Sequence, residues 1–141
     1  MARNGIVERL GTVDLFSTCT IRELTLIARV TEELAVEPGV DVVEQGTPGN
    51  QLYLIVEGEA DVIRDGRKVA RLEPGQYFGE LAVLDNAPRG ATVTAHTRLD
   101  LLVLGQREVA AVLDEWPGVS RRLLTALAHR LRQAERDATT H

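Results

Sequence analysis

The run FGELAVLDNAPRGATV, from Phe78 to Val93, gathers in one short stretch the residue types that hold a small organic phosphate. Gly79 lets backbone approach a ligand where a side chain would block it. A short helix beginning near Glu80 aims the unpaired N–H groups of Leu81 and Ala82, with the positive end of the helix dipole, at an anion. Arg89 supplies a planar fork of donors matched to two phosphate oxygens. Pro88 fixes φ just before it, and Gly90 and Ala91 remove bulk so that the chain closes around the phosphate. Glu80 only accepts hydrogen bonds when ionised, which suits a sugar hydroxyl and not a phosphate. Together these residues describe a site for a ribose and a phosphate. The plainer alternative is a half-buried ion pair between Glu80 and Arg89, with the small residues serving as packing space. The grouping of all these types in order favours a ligand.

Such a site needs a rigid platform, and the flanking sequence reads as one. Pro38-Gly39, Pro48-Gly49, Glu57-Gly58, Asp65-Gly66 and Pro74-Gly75 recur at intervals of eight to ten residues, the spacing of short strands in a sandwich or barrel. Between them lie VDVV, QLYLIV, ADVIR and KVARL, followed by ATVTA at Ala91 to Ala95 and LDLLVLG at Leu99 to Gly105. Asp65-Gly66 is the strongest hairpin signal, because a type I′ turn needs positive φ at both central positions. In QLYLIV, Leu52, Leu54 and Val56 face one way while Tyr53 and Ile55 face the other, the pattern of a central strand buried on both sides.

Helices flank this region. Ile21, Leu24, Ile27, Ala28 and Val30 recur at steps of three and four, predicting an amphipathic helix over Thr20 to Leu34 with Thr20 and Glu23 as a capping box. Ile6, Val7, Leu10, Val13, Leu15 and Phe16 predict helical turns before it. Val109, Val112 and Leu113 fit a short helix ending before Pro117. Gly118 to Arg136 carries Val119, Leu123, Leu124, Leu127, Ala128, Leu131 and Ala134 on one stripe, and the tail ATTH is expected to fray. The fold class is therefore α+β: a small antiparallel β-roll, jelly-roll-like, flanked by N-terminal and C-terminal helices. A single domain over 1–141 is expected, with N-terminal helices at about 1–35, the roll at about 36–105 and C-terminal helices at about 106–137.

Composition narrows the function classes. A chain of 141 residues fits one domain of ordinary size. Its 16 basic and 21 acidic residues leave a formal charge of -5, so no general attraction to nucleic acid or anionic membrane is expected of this chain alone. The arginines from Arg121 to Arg136 read as the solvated face of the last helix. Cys19 is the single cysteine and reads as a small core residue in a reducing compartment, so a cytoplasmic location is expected. No run approaches the ~18 apolar residues of a membrane span. His96, His129 and His141 lack the spacing of a metal site. No nucleophile and base are matched in the sequence, so no enzyme is expected.

The segment from Phe78 to Val93 resembles the phosphate-binding cassette of the cyclic nucleotide-binding domain family, of the catabolite-activator and protein kinase A regulatory-subunit type. That pattern runs FGE, L or I, A, two apolar residues, a variable stretch, PR, a small residue, A, T or S, and V. Phe78, Gly79, Glu80, Leu81, Ala82, Val83, Leu84, Pro88, Arg89, Gly90, Ala91, Thr92 and Val93 supply it. Upstream, Gly49, Leu52, Tyr53, Ile55, Gly58 and Val62 match a second stretch of the family. The resemblance implies that Glu80 accepts the ribose 2′-hydroxyl and Arg89 pairs with the cyclic phosphate. Backbone N–H groups of Leu81, Ala82 and Ala91 would complete the phosphate shell. It also implies that the last helix acts as a lid. Gly90 stands where Thr or Ser would donate to a guanine, which favours cyclic AMP over cyclic GMP as the ligand. Arg130 matches an arginine of the final helix that reaches the base, although Ala134 and Glu135 replace the Thr-Ser pair that follows it in the catabolite-activator branch. The function expected is a regulatory domain that binds cyclic AMP, needs no cofactor or metal, and reports occupancy to an effector through its C-terminal helix. A homodimer through that helix stays open. The alternatives are an interaction module that ignores nucleotides, and the sensor part of a longer transcription regulator.

Overall fold

The computed structural model describes residues 2–139, with side-chain surroundings for 5–137. Helix α1 (Ala2–Gly11) and a 3-10 turn (Asp14–Phe16) lead into α2 (Ile21–Ala28). Thr20 caps α2 as its sequence predicts: its Oγ1 accepts the Glu23 N–H at 3.1 Å, and Glu23 Oε1 accepts the Thr20 N–H at 2.8 Å. The helix stops well before Leu34, however, because strand β1 occupies Glu32–Val36. Steps of three and four extended the helical reading through Val30 and Leu34, but both are largely exposed. The backbone of that segment is satisfied instead by an antiparallel ladder, with Leu34 opposite Leu101. The roll therefore begins at Glu32, earlier than the expected 36.

Strands β2 (Asp41–Val43), β3 (Gln51–Glu57), β4 (Ala60–Arg64), β5 (Arg67–Leu72) and β6 (Tyr77–Phe78) precede a short helix α3 (Glu80–Asp85). Strands β7 (Thr92–Ala95) and β8 (Leu99–Gly105) follow it. They form two antiparallel sheets ordered β1-β8-β3-β6 and β2-β7-β4-β5. The Asp65-Gly66 turn joins β4 to β5 with positive φ at both residues, 53° and 79°. Strand β3 lies inside its sheet, and its two faces feed two cores. Leu52 and Leu54 join the helices in one apolar cluster with Phe16, Ile27, Leu102 and Val119. Tyr53 and Ile55 join the interior of the roll with Phe78, Val93, Leu99 and Leu101.

Helix α4 (Gln106–Glu115) ends at Trp116, whose extended backbone, φ -124° and ψ 92°, is what a following proline demands. Helix α5 (Pro117–Thr139) uses Pro117 as its first residue, where a missing N–H costs nothing. Val119 and Leu123 are buried against the core, and Leu127 packs at its margin. Leu124, Ala128, Leu131 and Ala134 remain exposed. Of the ATTH tail expected to fray, Ala138 and Thr139 are the last residues of α5, and Thr140 and His141 lie outside the described residues. Among the described residues no helix is long and apolar enough to cross a membrane.

Candidate functional site

The ten residues that the sequence singles out, Phe78, Gly79, Glu80, Leu81, Ala82, Pro88, Arg89, Gly90, Ala91 and Arg130, all line one cavity of about 410 Å³. Strand β6 delivers Phe78 and α3 begins immediately after it. Gly79 makes this corner at φ 92°, a left-handed conformation that favours glycine. The first backbone donor turned back along α3 is the Val83 N–H, which reaches the Gly79 carbonyl at 3.3 Å. The N–H groups of Glu80, Leu81 and Ala82 belong to the helix's open first turn. Gln106 fixes the other end of α3 by donating to the Val83 carbonyl at 3.2 Å and to the Asn86 side chain.

Arg89 is the most unusual group in the site. It is only 6% exposed, and among the described residues no carboxylate lies within ion-pair distance of it. Its guanidinium makes two long contacts to backbone carbonyls, Gly79 at 3.4 Å and Gln51 at 3.3 Å, and lies 5.8 Å from the centre of the Tyr53 ring. Tyr53 in turn stacks on Phe78, with ring centres 5.0 Å apart. Burial pushes the Tyr53 hydroxyl up from its ordinary pKa, and Arg89 pulls it partly back. The main chain on either side of the guanidinium is pinned: the Arg89 N–H reaches the Thr47 carbonyl at 2.9 Å, and the Arg89 carbonyl accepts the Gly46 N–H at 2.8 Å. Two glycines make room for the head group. A Cβ at Gly79 would stand 2.7 Å from Arg89 Nη1, and one at Gly49 would stand 2.6 Å from its Cζ. Gly49 is a residue that the reading of the cassette leaves out, and only its distant match to the family points towards it.

Glu80 does not pair with Arg89. It is buried, 5% exposed, and its Oε1 accepts from Arg130 Nη1 of α5, an ion pair that ties the cassette to the exposed half of that helix. Burial raises the Tyr77 hydroxyl pKa, and the neighbouring Glu80 charge raises it further. Leu81 is exposed and Ala82 buried, while the space beside Gly90 is open, with nothing within 4 Å of where a Cβ would sit. Val62, Arg64, Leu72 and Tyr77 complete the wall away from α3, and the sequence alone does not assign them to a site. A larger cleft of about 730 Å³ lies between the Asp14–Phe16 turn and α5. It shares Leu72, Tyr77 and Arg130 with the cassette cavity but contains neither Glu80 nor Arg89, so the chemistry belongs to the smaller space. Among the described residues no three His, Cys, Asp or Glu side chains converge on a metal-sized point.

Residues 33–115 match the family model described as the cyclic nucleotide-binding domain. The chain belongs to the cyclic nucleotide-binding domain family. It is 42% identical over 108 residues to the cAMP-dependent protein kinase regulatory subunit of Mucor circinelloides f. lusitanicus, covering 74% of this chain and 25% of that protein. The chain thus spans about a quarter of that relative's length. Its fold superposes on the Thermus thermophilus Catabolite Activator Protein with a TM-score of 0.83 at 30% identity, covering 89% of this chain and 62% of that one. It also resembles the regulatory subunit of a cAMP-independent protein kinase A from Trypanosoma cruzi, solved bound to guanosine. There the TM-score is 0.71 at 28% identity, and 79% of this chain and 40% of that one are covered. The roll and its flanking helices are those of this domain family, whose members here carry the names of regulators.

Proposed function

We propose that this domain binds cyclic AMP in the 410 Å³ cavity and reports occupancy through α5 without making or breaking a bond. The observation that carries the proposal is the burial of Arg89 without a counter-ion. A buried cation costs several kcal/mol unless an anion accompanies it. A cyclic phosphate on the Arg89 fork, assisted by the open first turn of α3 and by the backbone at Ala91, supplies that anion. Glu80 then accepts the ribose 2′-hydroxyl, and Arg130, which holds Glu80 in the free domain, is released to cover the base. The missing side chain at Gly90 leaves guanine without a donor from this position, so cyclic AMP binds at least as tightly as cyclic GMP.

Titration calorimetry with cyclic AMP, cyclic GMP, AMP and guanosine tests the reading. One cyclic AMP site per chain, with AMP far weaker, is expected. Binding of guanosine alone would instead align the domain with its cAMP-independent structural relative, and no binding at all would leave the buried arginine without its anion. Glu80→Ala should weaken cyclic AMP while leaving 2′-deoxy cyclic AMP nearly unchanged. Equal losses for both ligands would give Glu80 another role.

A further inference from the structure

Arg64 ends β4 beside the cassette. Along β4, Ala60 and Val62 face the interior of the roll, where Ala60 is fully buried and Val62 packs against the inner core. The ladder with β7 is regular through this stretch, Ala60 opposite Ala95 and Val62 opposite Val93. Arg64, two residues on and past the register shift that β4 and β5 show between Val62 and Ile63, is exposed, and it lines the same cavity as Arg89 and Glu80. None of the ion pairs among the described residues uses Arg64. Its contact is Nε donating to the Gly90 carbonyl at 3.3 Å. The guanidinium is thereby tethered beside the open space at Gly90, with its remaining donors uncommitted to any carboxylate.

Resting on the nucleotide-binding reading above, we infer that Arg64 is a base-reading residue, and that it confers affinity for a 6-oxo purine which Gly90 does not provide. Arg89 and the α3 corner occupy the phosphate end of the cavity, and Glu80 stands beside them. Arg64 lines the cavity together with Val62, Leu72 and Tyr77, whose apolar surface suits a base. An arginine fork presents two donors that match the N7 and O6 acceptors of guanine or hypoxanthine. Adenine offers N7 beside an amino group, which such a fork does not match. The purine preference of this domain is then set by two residues acting in opposite directions, Gly90 by omission and Arg64 by supply.

The test is calorimetry of cyclic AMP, cyclic GMP and cyclic IMP against wild type, Arg64→Met and Arg64→Lys. Methionine keeps the apolar stem, and lysine keeps the charge without the fork. Arg64→Met should weaken cyclic GMP and cyclic IMP roughly tenfold or more and leave cyclic AMP within about twofold. Arg64→Lys should recover only a minor part of that loss. Cyclic IMP lacks the 2-amino group, so a loss shared by both 6-oxo ligands assigns the contact to the N7/O6 edge. The inference is overturned if all three ligands weaken equally, which would put Arg64 on the phosphate, or if none weakens. It is also overturned if wild type binds cyclic AMP but neither 6-oxo ligand. A wild type that binds no cyclic nucleotide overturns the functional reading itself, and this inference with it.

Discussion

At the scale of single residues, the site is built around one buried cation and the space left for it. Gly49 carries no side chain because a Cβ there would meet the Arg89 guanidinium 2.6 Å from Cζ. Gly49→Ala keeps an ordinary backbone conformation yet pushes the fork out of its seat. It should lower cyclic AMP affinity more than tenfold in a titration while the circular dichroism spectrum stays that of the wild type. A variant that binds normally would mean the arginine finds the phosphate from another position. Cys19 offers a pH-dependent check away from the site. Burial pushes its thiol up to about 11, with the Glu23 charge adding to the effect. Because the folded value lies above the unfolded one, near 8.5, the protonated thiol favours the native state below that pH. That contribution is lost as pH rises from about 9 towards 11. Only the thiolate attacks an alkylating reagent, so iodoacetamide at pH 8 should modify native Cys19 far more slowly than the same residue in denaturant. Equal rates would contradict its partial burial and raised pKa.

At the scale of elements, what could be read in advance depended on whether local chemistry or distant pairing decides the structure. The capping box of α2 and the Asp65-Gly66 turn are local, and both formed as their residues dictate. The two-faced pattern of β3 likewise needed no knowledge of its neighbours. Strand β1 did, since Glu32–Val36 is extended only because β8 offers it a ladder, and its apolar spacing also satisfies a helical period. The short β6 was hidden for the same reason: two residues beside a cassette carry no period of their own. In the site, the cassette residues were legible because they are contiguous. The bond between Glu80 and Arg130 joins positions fifty residues apart and leaves no sequence signal, and the place of Arg64 in the cavity wall emerges only once the roll has folded. That Glu80–Arg130 bond has a consequence for α5, whose outer half is otherwise uncovered. If cyclic AMP engages Glu80 and draws α5 over the base, amide exchange between Arg121 and Arg136 should slow on adding ligand. Slowing confined to Phe78 through Val93, with α5 exchanging at an unchanged rate, would separate binding from any movement of the helix.

At the scale of the whole molecule, the domain keeps a charge in its interior, Arg89, which on the proposed reading a cyclic phosphate neutralises. Stability and binding should therefore part company when that charge is removed. Replacing a buried ion with an apolar residue of similar volume is often neutral or stabilising. Arg89→Met should accordingly melt at or above the wild-type temperature without ligand, even though it loses the phosphate contact. Wild type at a hundredfold excess of cyclic AMP over Kd gains about 2.7 kcal/mol, a rise of roughly 5 to 10 °C for a domain of this length. The most direct measurement is a thermal melt of wild type and Arg89→Met side by side, each with and without cyclic AMP. The expected result is a shift for wild type, none for the variant, and an unliganded variant no less stable than wild type. An unliganded variant several degrees less stable than wild type, shifting with cyclic AMP as wild type does, would contradict the assignment of Arg89 as the cation that awaits the phosphate.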